Sequence, residues 1–529
     1  MRNFQYPGRS PVMTPNAMAS TSHPLSTAAA LDILQKGGNA LDAATAAVAV
    51  QCVVEPQSTS IGGDCFCLYA PADSDEVIAI NGSGRAPAGL DASLLREQGL
   101  TSIPQQSAHS VTVPTAVDTW VTLNRDHGRM DLADILAPSI GYARDGYAVT
   151  PRVAFDFSGC FDLLQGDADA SAVFLPEGRS LVAGDAHRQP ALARTLTEIA
   201  EKGRDGFYKG WVAEDMLAKL NGIGGYHTQD DLDNAVANYV TPIKTNYHGY
   251  DIWECPPNGQ GMIALLLLNM AEGMDKFGND PINLQRIHHE IEAGRLAYRD
   301  RSLFLGDPDF IDVPVDTLIG KDYARQLAGM IDPQAAMHPL PDCPLPRHKS
   351  TVYISVVDKD RNACSFINTV YHSFGAGLVA PQSGVLFQCR GMGFTLEEGH
   401  PNCLAPNKRP LHTIIPGMIG RNDDVVGSFG IMGGHYQAAG HAFILSQILD
   451  FHLSPQCALD LPRVFPNNGI LDIEENFDSD LIKELENKGH KINYPALPIG
   501  GGQIIINDID KGISLGASDW RKDGIALGV

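Results

Sequence analysis

His348-Lys349-Ser350-Thr351-Val352-Tyr353-Ile354-Ser355-Val356-Val357-Asp358 is the stretch on which the reading of this chain turns. Before it, Asp332 to His348 carries five prolines and no periodic apolar pattern, the texture of a linker. After it, a β-branched apolar run predicts a buried strand, Val352 to Asp358. Thr351 stands at the boundary. β-Propensity alone explains a threonine that opens a strand, but the position also permits an unusual chemistry. A threonine hydroxyl with no base beside it is a weak nucleophile. If it attacks the carbonyl of Ser350, the peptide becomes an ester. Water then opens the ester and frees Thr351 as a new N-terminus. The freed α-amine, with a reference pKa of about 7.7–8.0, is a useful base near neutral pH. Nucleophile and base then reside on one residue.

Outward from this boundary, the two sides differ. On the N-terminal side, helical patterns alternate with Gly- and Pro-punctuated loops. Helices are predicted over Leu25–Gln35, Ala40–Val54, Leu132–Gly146, Ala191–Lys202 and Met262–Met270. Ile287–Phe304 reads as an amphipathic helix with a charged face, Val77–Ile80 as a short strand, and Pro256 to Gly261 as a loop. On the C-terminal side strands dominate: Ala363–Val370, Val425–Phe429, and Ile504–Ile509 with Ile513–Leu515 around the turn Asp510-Lys511-Gly512. His435–Phe451 is a helix rich in small residues. A mostly helical first part feeding a mostly stranded second part predicts two sheets covered by helices on their outer faces.

The chain has 529 residues, 44% of them hydrophobic, enough for a large core. Its net charge of −23 argues against a nucleic-acid partner, which needs a basic surface. No apolar run is long enough to span a membrane. Met1 to Met13 lacks the apolar core of a secretory signal. The ten cysteines include no CxxC, only Cys65 and Cys67 as CxC, so neither a metal site nor a redox motif is expected. Reduced thiols in a cytoplasmic protein are the expectation. Glu397-Glu398-Gly399-His400 lacks metal-ligand spacing, and no cofactor is expected. Ile61-Gly62-Gly63-Asp64 lacks the GxGxxG spacing of a dinucleotide site, and no GxSxG elbow is present.

A set of short blocks, in order along nearly the whole chain, resembles the gamma-glutamyltranspeptidases. They are Ser22-His23-Pro24-Leu25 through Gly37-Gly38-Asn39-Ala40-Leu41-Asp42; Val54-Glu55-Pro56 with Ile61-Gly62-Gly63; and Leu305-Gly306-Asp307-Pro308. The set continues with Thr351 and Ser355-Val356-Val357-Asp358; Pro406-Asn407-Lys408-Arg409-Pro410-Leu411; Gly433-Gly434; and Gly516-Ala517-Ser518-Asp519. The resemblance implies a four-layer αββα N-terminal-nucleophile hydrolase fold, α+β in class. It also implies self-cleavage between Ser350 and Thr351 into a large subunit (1–350) and a small subunit (351–529). The two stay associated within one αββα unit, and a dimer of such heterodimers is a further expectation. Carried over residue by residue, Thr351 is the nucleophile and Thr369 supports it. Gly433 and Gly434 supply the backbone N–H groups that stabilise the tetrahedral oxyanion.

The departures concern substrate. Ser83 stands where the family places the Arg that binds the glutamyl α-carboxylate, with Arg85 two residues on. Tyr371 replaces an Asn, His412 and Thr413 replace paired serines, and Arg390 and Gly393 replace the Gln and Asp that hold the glutamyl group. Without an acid for its α-ammonium, a free γ-glutamyl group should bind poorly, since an unpaired buried charge is costly. Arg390, and after it Arg85, would favour a carboxylate. The expected substrate is therefore a small anionic amide, such as that of the family's oxamate amidohydrolase branch. The alternatives are a gamma-glutamyl hydrolase or transferase with a rearranged pocket, a glutaryl-type acylase, and a degenerate binding protein that kept the fold.

Overall fold

The computed structural model describes residues 5, 8–274, 277–339, 351–422, 424–467 and 469–529. Two seven-stranded antiparallel sheets lie at its centre. One runs, in spatial order, Val12–Thr14, Ile513–Ser518, Gly501–Asp508, Asp424–Met432, Gly417–Arg421, Tyr250–Glu254, Ile243–Tyr247. The other runs Ile525–Gly528, Met18–Thr21, Val352–Val357, Ala363–Thr369, Asp64–Ala70, Ile78–Gly82, Asn238–Val240. Between the sheets sits an apolar layer that includes Phe66, Leu68, Tyr353, Ile367, Met418 and Ile505. Helices cover both outer faces, so the fold is the αββα arrangement expected.

The helix Ala40–Val54 explains one outer layer. All of its residues are buried, and it packs on Val352–Val357 and Ala363–Thr369. Its many alanines let helix and sheet approach closely, so burial compensates for the lack of a polar face. Asn39 and Asp42 form a capping box at its start. On the other outer face, Gly261–Glu272 packs on Ile243–Tyr247, and Tyr436–Leu449 packs on Asp424–Met432.

Two expectations need correction. The N-terminal part is not simply helical: Met18–Thr21 and Asp64–Ala70 are central strands, so both sheets mix segments from before and after Thr351. These strands are fully buried and show no two-residue alternation to read. The second concerns the helix Leu284–Phe304, read as amphipathic with a charged face, many of whose charged residues are buried. Arg286, Glu292, Arg295, Asp300 and Arg301 are all buried. They are tolerated because each is partnered, as in Arg286–Glu290 and Arg295–Glu292, both at 2.8 Å. Among the described residues, no helix is long and apolar enough to cross a membrane.

Candidate active site

A hairpin brings the two threonines together. Val352–Val357 pairs antiparallel with Ala363–Thr369, with Val352 opposite Asn368. Thr351 and Thr369 therefore share one end, and their hydroxyl oxygens lie 3.3 Å apart. At the other end, the Asp358 carboxylate accepts from the backbone N–H groups of Asp360 (2.9 Å) and Asn362 (3.0 Å). It also accepts from Ala40 N–H at 3.0 Å, which ties the turn to the start of the central helix. Thr369 Oγ1 accepts from Tyr371 N–H at 2.9 Å, so it can accept from the backbone and donate to Thr351 at once. A Cβ on Gly63 would sit 2.2 Å from the Thr369 carbonyl oxygen, which accounts for the glycine of Ile61-Gly62-Gly63.

Strand Asp424–Met432 leads through Gly433, Gly434 and His435 into the helix Tyr436–Leu449. Both glycines have positive φ, 122° and 61°. A Cβ on Gly433 would also meet Gly500 Cα at 2.9 Å. This is the backbone geometry that glycine alone takes without strain. From the first turn of the helix, Gln437 Nε2 points at Thr351 Oγ1 from 3.5 Å, its Oε1 held by Ile415 N–H at 3.1 Å. Gln260 steadies the glycine loop. Its Nε2 donates to Gly434 O at 3.0 Å and to Thr413 O at 2.9 Å.

Beneath the threonines lies a buried polar network centred on Asp64. Its carboxylate accepts from Gly84 N–H, Gln388 Nε2 and His412 Nε2, each at 2.8 Å, with Arg390 Nε at 3.9 Å. Ile414 N–H donates to His412 Nδ1 at 3.3 Å, so the neutral imidazole carries its proton on Nε2. Burial, and then Arg390, push His412 down to about 4. Burial likewise lowers Arg390 to about 10. Arg390 Nη1 donates to Thr413 Oγ1 at 3.3 Å, and its guanidinium lies under the Tyr371 ring, 3.7 Å from the centroid. Tyr371 has φ of 78° and a phenol raised to about 12 by burial.

A cavity of about 470 Å³ opens above this network, lined in part by Arg301, Tyr371, Gly393 and His435. The predicted substrate residues divide at this surface. Tyr371 faces the cavity. Arg390, His412 and Thr413 are fully buried behind it and are not part of its lining. Arg85 turns elsewhere: it reaches Asp309 at 2.8 Å and Asp307 at 3.4 Å and does not line the cavity. Its neighbouring acids outcompete the pocket for the charge. Ser350, the residue before the predicted cut, lies outside the described residues.

Sequence reasoning missed Asp64, Gln260, Arg301, His435 and Gln437. Gln260 sits in the segment read only as a loop, and Arg301 on a helix read only as amphipathic with a charged face. Arg301 Nη1 donates to Gln260 Oε1 at 2.8 Å and lies 2.6 Å from His435 Nδ1. Away from the site, His288, Glu292 and His490 place potential metal ligands within 4.8 Å of one another. A hydrogen-bond chain already engages both histidines: Arg295 Nη2 to His490 Nδ1 (3.3 Å), His490 Nε2 to His288 Nδ1 (2.8 Å), and His288 Nε2 to Asp332 O (2.8 Å), while Glu292 accepts from Arg295 Nη1 at 2.8 Å. Burial and then Arg295 push His490 down to about 3, and burial also lowers His288.

Comparison with known proteins agrees with this architecture. The gamma-glutamyltranspeptidase family model matches residues 26–529. The chain is 34% identical over 521 residues to the glutathione hydrolase-like YwrD proenzyme of Bacillus subtilis (strain 168), covering 97% of this chain and 98% of that one. It is 33% identical over 528 residues to the oxamate amidohydrolase proenzyme of Klebsiella pneumoniae subsp. pneumoniae, with the same coverage of each. Its fold superposes on the crystal structure of cephalosporin acylase from Bacillus halodurans with a TM-score of 0.93 and 37% identity, covering 100% of this chain and 98% of that chain. A match running from residue 26 to the last residue, together with the αββα fold, identifies the chain as an enzyme that belongs to the gamma-glutamyltranspeptidase family.

Proposed function

We propose that this chain is a self-cleaving N-terminal-threonine amidohydrolase whose substrate is a small anionic amide such as oxamate. The observation that carries the reading is the Thr351–Thr369 hydroxyl pair at 3.3 Å, set where a proline-rich segment meets a buried strand. In maturation, the Thr351 hydroxyl attacks the carbonyl of residue 350, and hydrolysis of the resulting ester frees the amine of Thr351. The products, residues 1–350 and 351–529, stay together because each sheet contains strands from both. In turnover, the freed amine takes the hydroxyl proton as Thr351 Oγ1 bonds to the amide carbon. The N–H groups of Gly433 and Gly434 receive the oxyanion. The amine then returns the proton to the leaving nitrogen, and the C–N bond breaks. Water hydrolyses the acyl ester and regenerates Thr351.

Two features of the cavity support an anionic, amine-free substrate. It has a guanidinium in its wall, and Gly393 offers no carboxylate at the position where the family resemblance places an acid. The second reading, a gamma-glutamyl hydrolase or transferase, is favoured by Glu397. This exposed acid on the cavity lining gives an α-ammonium a partner. Assaying the matured protein on oxamate beside glutathione separates them. Faster turnover of glutathione would set the anionic-amide reading aside.

A further inference from the structure

We infer that Arg301, on the helix Leu284–Phe304, is the residue that receives the substrate's carboxylate. The inference rests on the amidohydrolase reading above and names the group that makes it selective. Arg85, Arg390 and Arg301 have different surroundings near the site. Arg85 is taken up by Asp307 and Asp309. Arg390 is fully buried, covered by the Tyr371 ring and held by Thr413. Arg301 lines the cavity itself, beside Tyr371 and His435.

Its surroundings suit the task. Arg301 Nη1 meets Gln260 Oε1 at 2.8 Å and His435 Nδ1 at 2.6 Å. The guanidinium also lies over the Tyr298 ring, 4.9 Å from its centroid. These contacts fix the plane of a fork whose geometry matches a carboxylate. The same Gln260 donates to the carbonyl of Gly434. One side chain therefore sets both the cation and the loop proposed to receive the oxyanion, which fixes the spacing between carboxylate and scissile carbonyl. Tyr371 lines the same cavity, and its phenol can donate to the carboxylate as a second contact.

The test compares oxamate with oxamide, a neutral diamide of the same size, on matured wild type, Arg301→Met, Arg301→Lys and Arg390→Met. Arg301→Met should raise KM for oxamate on the order of ten- to a hundredfold, the effect of losing charge-assisted hydrogen bonds. Its kcat/KM for oxamide should fall clearly less than that for oxamate, and Arg301→Lys should lose less on oxamate than Arg301→Met. Equal losses on both amides would mean that Arg301 serves only to hold Gln260 and the glycine loop, and would overturn the inference. So would a charge-selective loss in Arg390→Met with none in Arg301→Met. Failure of both Arg301 variants to mature would likewise assign the residue to the loop. A wild type inactive on both amides but active on glutathione removes the substrate reading itself, whatever the variants do.

Discussion

The guanidinium carbon of Arg390 lies 3.7 Å from the ring centre of Tyr371, and only the tyrosine of this pair lines the cavity. Arg390 therefore acts on the site from behind, through Asp64 and His412. Arg390→Met keeps most of the bulk and removes the charge. Breaking a buried ion pair in this way costs roughly 3–5 kcal/mol. His412, held down to about 4 by burial and then by Arg390, should titrate at higher pH in the variant. An NMR titration of the His412 ring checks this. An unchanged midpoint would mean that His412 does not sense Arg390.

Thr351→Ala should leave one uncleaved chain of 56.8 kDa, because alanine has no hydroxyl to attack the preceding carbonyl. The wild type should give two bands of roughly two-thirds and one-third of that mass. N-terminal sequencing of the smaller band should read Thr-Val-Tyr-Ile-Ser. Any other first residue removes the proposed nucleophile.

Thr369→Ala deletes the hydroxyl 3.3 Å from Thr351 and also the acceptor of Tyr371 N–H. Maturation and turnover should both slow, on the order of ten- to a hundredfold for a lost hydrogen bond of this kind. Thr369→Ser should restore most of the rate. Gly433→Ala, which forces a Cβ against Gly500, should lower kcat by about 10²–10³, the loss typical of one oxyanion donor. Steady-state kinetics on the matured fraction decides both.

Activity should fall on the acid side as the Thr351 amine protonates, since an ammonium cannot accept the hydroxyl proton. The limb of kcat/KM should have an apparent pKa near or below about 8, the reference value for an α-amine. A flat profile from about pH 5 to 8 would count against the amine as base.

Stability should follow a different limb. His23, His227, His372 and His412 are each pushed by burial from 6.5 down to about 4. Between those values the unfolded chain binds more protons than the folded one, so stability rises with pH across the window and is lost as pH falls through it. Calorimetry should show Tm dropping steadily from about pH 6.5 to 4. A constant Tm over that range would mean that these imidazoles are already protonated in the folded protein.

Several features were determined by sequence alone. The proline-rich stretch ending at Thr351, the β-branched run after it, and the small-residue helix Ala40–Val54 are local patterns. They specify local structure because propensity and periodicity act over a few residues. The hairpin that pairs Thr351 with Thr369 is also nearly legible, since the register of two adjacent strands follows from their turn. Tertiary structure decided which charges face substrate. Arg390 and Arg85 looked available as residues in a string, yet one is roofed by Tyr371 and the other is drawn off by Asp307 and Asp309. Arg301 was one charge among several on an amphipathic helix, yet it is buried at the cavity wall. A charge's role depends on its neighbours in space. Here those neighbours come from distant segments: Gln260 and Arg301 are 41 residues apart and Arg301 and His435 are 134, and no local pattern connects them.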